Sequence, residues 1–524
     1  MKRGEVLFLL IILTIASFFR LWKLSIIPPG LYPDEAINGN EAITLSGRVF
    51  YPENNGREGL YINLISLSFA IFGPSIWAMR FVSAIIGVLT VLGLYLLTKE
   101  LINQLTDNKK QETRIALLAS FFLAVSFWHI NFSRIVFRAI LLPFILVFAF
   151  YFLFLGFRTK KTHHLIISGI FFGLGFYTYI SYRFIVLLLA CVLISFWFIY
   201  KKQGLQKKFL FSIFYFLFSI FLIALPIGIY FLKNPEDFLG RATPISIFAT
   251  ENPLEEFGKS LVLHLVMFNF YGDPNWRHNF SGSPQLFWPI GIFFLVGIGL
   301  SIKKIVEALR KKGCLLFTVY CFLLSLFFIM LLPGVLTYEG IPHALRTIGV
   351  IPSVYIFAAL GGIYSYNWLN NKIKNKNLFF VFCSLFFVLL TFTQFYKYFF
   401  CWGQHPEVAN AFSKDYVDFG NYLNSLPQDI QKYIIVNRSG VPVPWPDGLP
   451  MPAQTPMFME RTKFGKTNSI YLLPDRLNEI KIDERKTIIL PMAFDEGLLW
   501  ELKTRFPQGE VRNENGVWVY KINL

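Results

Sequence analysis

The chain has 524 residues, 55% of them hydrophobic and 18% aromatic, with only 15% charged and a mean hydropathy of +0.51. No soluble globular domain needs so much apolar surface, so the composition implies a polytopic membrane protein. The formal net charge of +17 does not point to nucleic acid, because Lys and Arg sit in short runs between apolar segments, as orientation signals do.

Met1-Lys2-Arg3 and the apolar run that follows resemble a signal sequence. No small-residue cleavage site follows, and Arg20, Trp22 and Lys23 read as an interface anchor, so this is a retained first span. About 20 apolar residues cross a hydrocarbon core. On that rule, eleven spans are predicted near 5–24, 75–98, 114–132, 136–157, 164–180, 183–200, 209–232, 286–302, 314–332, 346–367 and 378–399. The 60 Phe residues suit helices that face lipid. Lys99 to Arg114, Arg158 to Lys161, Lys201 to Lys208, Lys303 to Lys312 and Lys372 to Lys376 form one set of basic loops. The alternate set, 25–74, 132–136, 181–182, 233–285 and 333–345, is acidic or mixed. The positive-inside rule then puts the N-terminus in the cytoplasm. It puts the second set, and everything after about 400, outside the cytoplasmic membrane.

The first outer loop opens on Pro28-Pro29-Gly30-Leu31-Tyr32-Pro33-Asp34-Glu35-Ala36. Pro33 suits the first turn of a helix, and Asp34 would lie where the positive dipole end keeps a carboxylate ionised. Such a carboxylate can take a proton from an acceptor hydroxyl. The plainer alternative makes Asp34 a helix cap and Glu35 its solvated neighbour. Residues 34–47 and 56–72 are predicted as interfacial helices, bringing Asp34, Glu35, Glu41 and Glu58 over the outer mouth of the bundle.

Residues 400–524 are richer in proline and charge. Short β-like runs at Tyr433 to Val436, Thr487 to Leu490 and Val517 to Tyr520 alternate with helical patterns at 412–425 and 494–505, which predicts a small α/β domain. The stretch from Val441 to Pro456 reads as a long loop. The tail holds no catalytic motif, and the five cysteines show neither disulfide nor metal spacing.

Polar groups recur at the predicted outer helix ends. They are Trp128 to Arg134 with Arg138, Tyr177 to Arg183, Gly272 to Asn279, and Ile341 to Thr347. Arginine on the non-cytoplasmic side runs against the positive-inside bias, and a bound phosphate would account for it. Each group also has a structural alternative. Arg134, Arg183 and Arg346 can snorkel to headgroups, the tyrosines can form an aromatic belt, and His278 and His343 can be structural.

With those residues in view, the chain resembles the GT-C glycosyltransferases, specifically family 39 and its bacterial relatives. That group includes protein O-mannosyltransferases and lipid A aminoarabinose transferases. The resemblance rests on Tyr32-Pro33-Asp34-Glu35-Ala36, Gly56-Arg57-Glu58-Gly59-Leu60-Tyr61, and Gly73-Pro74-Ser75 with Trp77-Ala78-Met79-Arg80-Phe81. It continues through Ser133-Arg134, Tyr177-Thr178-Tyr179 and His343-Ala344-Leu345-Arg346-Thr347. It covers roughly residues 1–370 and not the tail.

The resemblance implies a polyprenyl-phosphate sugar donor, an acceptor approaching from the outer side, and inversion at the anomeric carbon. Asp34 would match the catalytic carboxylate, with Glu35 orienting the acceptor or holding the loop. Glu58, Arg80, Arg134, Arg138, Tyr179, Arg183, Arg277, His343 and Arg346 make up the expected substrate-binding set. The arginines among them would stabilise the charge on the departing phosphate. Protein mannosyltransferases carry an acidic residue shortly after the Ser-Arg pair. Here Ile135-Val136-Phe137-Arg138-Ala139 has none, which argues against a protein acceptor and leaves a divalent metal open; no cofactor is named with certainty.

The expected fold is mostly α: a GT-C-type membrane bundle of about 11 transmembrane helices over 1–399, with outer loops 25–74 and 233–285. A small extracytoplasmic α/β domain over 400–524 completes it. The expected activity is transfer of a sugar to a lipid, glycan or protein acceptor among membrane lipids. The rival readings are a transporter or flippase for a lipid-linked sugar and a non-catalytic scaffold. The charges cluster at helix ends and no internal repeat is found, which counts against a transporter.

Overall fold

A computed structural model describes residues 3–45, 47–105, 108–240, 242–311, 314–445, 447–482, 486–514 and 516–523. Among them, nine helices are long and apolar enough to cross a membrane. They are Arg3–Leu21 (α1), Ile76–Asn103, Arg138–Thr159, Ile180–Lys202, Gln206–Lys233, Trp288–Arg310, Leu315–Val335, Ile348–Lys372 and Lys376–Trp402. The two other predicted spans coincide with shorter helices. Lys109–Ala124 stops at Val125, where the Ser126 hydroxyl accepts the His129 N–H at 3.2 Å and starts a new helix, Phe127–Phe132. Thr162–Gly175 has 14 residues. The protein is a multi-pass membrane protein.

The chain forms two compact units. The first comprises Met1–Leu24, Glu58–Tyr61 and Arg80–Gly403, and the second Ser25–Arg57, Ile62–Met79 and Gln404–Leu524. Most of residues 25–74 therefore folds with the C-terminal residues. In the first unit, Trp288–Arg310 and Ile348–Lys372 cross closely. A Cβ added at Gly297 would lie 1.8 Å from the carbonyl oxygen of Phe357, and one at Gly361 would lie 1.9 Å from that of Phe293. Small residues let membrane helices approach to backbone contact, gaining dispersion energy that lipid cannot match. Gln206–Lys233 and Lys376–Trp402 lie at the opposite extreme. Phe211, Phe214, Phe221, Phe380, Phe382 and Phe392 are exposed on them, as lipid-facing surfaces require.

The second unit is built on a five-stranded sheet in the order Ile470–Leu472, Gln431–Ile435, Thr487–Pro491, Val517–Ile522, Glu510–Glu514. The first three strands are parallel and the last two antiparallel to their neighbours, with Tyr433 opposite Ile489 and Ile489 opposite Tyr520. Both faces of its centre are buried, which is why those strands read as continuous apolar runs. Phe419 and Leu423 of helix Lys414–Ser425 cover Ile434, Ile488, Leu490 and Val519, and Leu498, Leu499 and Leu502 of helix Glu496–Arg505 cover Ile435, Ile489 and Ile522. Three predicted strands and both predicted helices are present.

The second unit also holds helix Pro33–Ile43 (α2) and most of helix Leu60–Phe72 (α3). Helix Gln454–Phe464 occupies residues that include the end of the predicted loop. Asn40 of α2 donates to the carbonyl and side-chain oxygens of Gln454 at 2.9 and 3.0 Å, and the Thr455 hydroxyl donates to the Leu31 carbonyl at 3.1 Å. Gly30 sits at φ +85°, and a Cβ there would come within 2.4 Å of the Phe412 carbonyl oxygen. The loop before α2 thus requires glycine at this turn.

Candidate functional site

Pro33 occupies the first turn of α2, as its fixed φ favours. The two adjacent carboxylates then part company. Glu35 is fully buried and accepts the Tyr32 backbone N–H at 3.0 Å, satisfying one of the unpaired donors of the helix start. Asp34 stays partly exposed, and its Oδ1 accepts from Nδ2 of Asn54 at 2.8 Å. Glu35, and not Asp34, does the capping.

Farther along α2, Arg57 joins the helix to the segment that follows it. It donates to Asn38 Oδ1 at 2.7 Å, to Glu41 Oε1 at 2.6 Å and to the Glu53 carbonyl at 3.2 Å. Burial pushes the Glu41 carboxyl above its usual range, and the Arg57 guanidinium opposes that shift.

In the first unit, Glu58 accepts from Nε of Arg138 at 2.7 Å, and that guanidinium lies 5.5 Å from the ring centroid of Tyr179. Arg183 donates to the Phe238 carbonyl and lies 4.0 Å from the centroid of the Phe238 ring. Arg80 and Arg134 are fully buried near the end of α1. Arg80 donates to the Leu24 carbonyl at 3.3 Å. Arg134 donates to the carbonyls of Phe19 at 2.9 Å, Trp22 at 2.8 Å and Lys23 at 3.2 Å. Cations suit a helix C-terminus, where unpaired carbonyls concentrate negative charge. Arg277 lies in a turn, where its carbonyl accepts from Asn131 at 2.6 Å. Arg346 donates to Thr337 Oγ1 at 2.8 Å and to the Glu339 carbonyl at 2.7 Å.

His343 belongs to a further cluster. Asp273 Oδ2 lies 3.0 Å from Nδ1 of His278 and 3.9 Å from Nδ1 of His343, and it accepts the Ala344 N–H at 2.7 Å. One ligating atom from each of Asp273, His278 and His343 lies within 4.8 Å of the others. Two imidazoles and a carboxylate suit a divalent cation of the zinc or manganese class. Behind them, the His343 N–H donates to Nε2 of His264 at 3.1 Å, and Nδ1 of His264 faces the Ser260 carbonyl at 2.8 Å. Burial lowers the His264 pKa to about 4, keeping the ring a neutral acceptor.

Residues 60–230 match a family described as dolichyl-phosphate-mannose-protein mannosyltransferase. No curated protein matches the chain. Among solved structures, it is similar to ArnT from Cupriavidus metallidurans bound to undecaprenyl phosphate, at 12% identity and a TM-score of 0.53. That likeness covers 100% of this chain and 99% of the other. ArnT in the apo state gives 11% identity and the same TM-score over 99% and 98% of the two chains. The chain therefore matches ArnT from end to end. It carries the GT-C glycosyltransferase fold. The apo oligosaccharyltransferase of Archaeoglobus fulgidus is similar at 15% identity and a TM-score of 0.47, over 83% of this chain and 63% of that one. The present chain thus spans less than two thirds of that enzyme's length.

The structure brings Glu58, Arg138 and Tyr179 together, and His343 together with Asp273 and His278. Arg20, read from sequence as an interface anchor, is instead fully buried. It donates to the carbonyls of Ala16 and Ala124 at 3.0 Å and to Nδ1 of His129 at 2.7 Å. The sequence signal for this role was weak: a lone arginine near a helix end looks the same whether it reaches outward to lipid or inward to carbonyls.

Proposed function

We propose that this GT-C chain moves a sugar from a polyprenyl-phosphate donor to a hydroxyl-bearing lipid, glycan or protein acceptor at the outer face of the cytoplasmic membrane, with Asp34 as general base. The observation that carries the reading is the division of labour at α2. Glu35 is committed to the helix cap, while Asp34 keeps a partly exposed carboxylate with one oxygen held by Asn54. The fold shared with ArnT supports a prenyl-phosphate donor, since that enzyme was crystallised bound to undecaprenyl phosphate.

In the proposed reaction, the acceptor hydroxyl oxygen attacks the anomeric carbon as Asp34 takes its proton. The bond from that carbon to the phosphate oxygen breaks on the opposite side, and the prenyl phosphate leaves with the electron pair. A single displacement inverts the configuration. Arg138 and Arg183 are the residues proposed to stabilise charge growing on the leaving phosphate. Arg80 and Arg134 are fully buried against main-chain carbonyls, whereas Arg138 and Arg183 are partly exposed. A divalent cation fits Asp273, His278 and His343, and when bound it would supply a fixed positive charge there.

The test is transfer by purified protein from a panel of prenyl-phosphate sugars, comparing wild type with Asp34→Asn. Removing a carboxylate base is expected to slow transfer by roughly 100-fold or more with folding intact. Unchanged turnover would take Asp34 out of the mechanism. A cysteine placed near Asp34 should react with an impermeant thiol reagent in intact cells.

A further inference from the structure

A cavity of about 290 Å³ opens beside α2 within the second unit. Its wall includes Asn40 and Glu41 of α2, Arg48, Tyr51 and Glu53 of the following segment, and Arg461 of helix Gln454–Phe464. Nothing in the proposed chemistry uses it. Two of its carboxylate oxygens, Glu41 Oε2 and Glu53 Oε2, are buried with no hydrogen-bond partner among the described residues. An ionised carboxylate only accepts hydrogen bonds, and leaving a buried acceptor unmet costs about 1–3 kcal/mol. Donors from water or from a bound molecule would offset that cost.

The other charges in the wall restrict what that ligand can be. Arg48 pairs with Glu53 Oε1 at 3.3 Å, and Arg461 donates to Asn40 Oδ1 at 3.3 Å. A polyamine or metal cation would meet the carboxylates but face these guanidinium groups, while an anion would meet the guanidinium groups but face the carboxylates. A neutral molecule carrying several hydroxyls satisfies both, since each hydroxyl donates and accepts. The volume sits at the lower end of the range for small-molecule pockets and suits a sugar better than a peptide segment.

We propose that this cavity binds a sugar ring, and that the ring belongs to the acceptor, which makes the acceptor a glycan. The second half rests on Asp34 being the base. Asp34 and Glu41 are seven residues apart on α2, so they share one face and lie about 10 Å apart along its axis. A glycan ring held at Glu41 would extend toward the carboxylate that deprotonates its reacting hydroxyl.

The experiment uses the full chain in a detergent without a sugar headgroup. Saturation-transfer NMR is recorded with methyl α-mannoside, methyl β-glucoside and N-acetylglucosamine at millimolar concentration. At least one is expected to bind. The double variant Glu41→Gln/Glu53→Gln should weaken that binding 10-fold or more. Thr44→Trp, an exposed rim substitution that leaves both carboxylates in place, should block it. Asp34→Asn should leave binding unchanged. Absence of binding by the wild type, or binding untouched by both cavity variants, overturns the proposal and marks the cavity as water-filled. Transfer sensitive to Asp34→Asn would still stand in that case, and a sugar that binds without any transfer would separate the two readings the other way.

Discussion

Asn54 donates from Nδ2 to Oδ1 of Asp34 at 2.8 Å, so the proposed base is aimed by a residue 20 positions away in a tight turn. Asn54 sits at φ +52°, a left-handed conformation that Asn adopts more readily than most residues. Replacing it with Gly keeps the backbone and removes only the donor. Asn54→Gly is expected to lower kcat by roughly 10-fold, one hydrogen bond's worth of positioning, with KM for the donor little changed. Steady-state kinetics across a donor titration would show this, and an unchanged kcat would mean that Asn54 does not aim the base.

Glu35 gives the opposite pattern. Its carboxylate caps α2 from a buried position, so Glu35→Ala leaves the Tyr32 N–H unmet and should cost about 1–2 kcal/mol of stability. Glu35→Gln keeps an acceptor oxygen and should recover most of that loss. Thermal unfolding of the purified variants checks this, with activity tracking the folded fraction. An Ala variant that melts with the wild type would remove the capping role.

Which of these roles could be read from sequence follows from how far apart the partners are. Pro33 marks the start of α2 on its own, because its ring constrains only its neighbours. The capping role of Glu35 was also within reach, since a carboxylate three residues past the residue before a helix is placed to reach back to that residue's N–H; the adjacent Asp34 drew that role instead. The carbonyls held by Arg134 were out of reach, because Phe19 and Trp22 lie more than 100 residues away. Helix Gln454–Phe464 was hidden by the proline run before it, although Pro456 lies in the first turn, where its missing N–H costs nothing. The three central strands of the tail were legible because both faces of the sheet are buried there, so each leaves a continuous apolar run, whereas the edge strands Ile470–Leu472, only three residues long, and Glu510–Glu514, largely polar, leave none of that length.

Arg134 separates a structural role from a phosphate-binding one. A guanidinium presents several donors in a fixed fork, which lets Arg134 meet three carbonyls at once. Lysine keeps the charge but loses the fork. Arg134→Lys is expected to lower the unfolding temperature while leaving KM for the prenyl-phosphate donor within about 2-fold in the folded fraction, a change below 0.5 kcal/mol. A large rise in KM at unchanged stability would place this residue on the donor.

The Arg138–Glu58 pair is nearly buried, with side-chain exposures of 12% and 5%, so removing one partner leaves an uncompensated charge. Glu58→Gln should destabilise by about 3 kcal/mol, in the range for broken buried pairs. Adding Arg138→Gln should restore part of the loss. If Arg138 also stabilises the leaving phosphate, the double variant should regain stability without regaining kcat. A chemical-unfolding series run beside the transfer assay gives both quantities.

The pH dependence of folding should carry the signature of His264. Its pKa is about 4 in the folded chain against an ordinary value near 6.5, lowered first by burial. The unfolded chain therefore takes up a proton between these values that the folded chain refuses. The stability contributed by this group is fully present above pH 6.5 and is lost as pH falls toward 4. His264→Gln can still accept the His343 N–H through its amide oxygen, and it does not titrate. The variant should flatten the decline in unfolding temperature between pH 6.5 and 4 while matching the wild type more closely at acid pH than at neutral pH. The same titration with bound metal measured by mass spectrometry would read the Asp273, His278 and His343 cluster independently. Protons compete for those imidazoles, so a metal held there should be released on acidification, and His278→Ala should lack it at every pH.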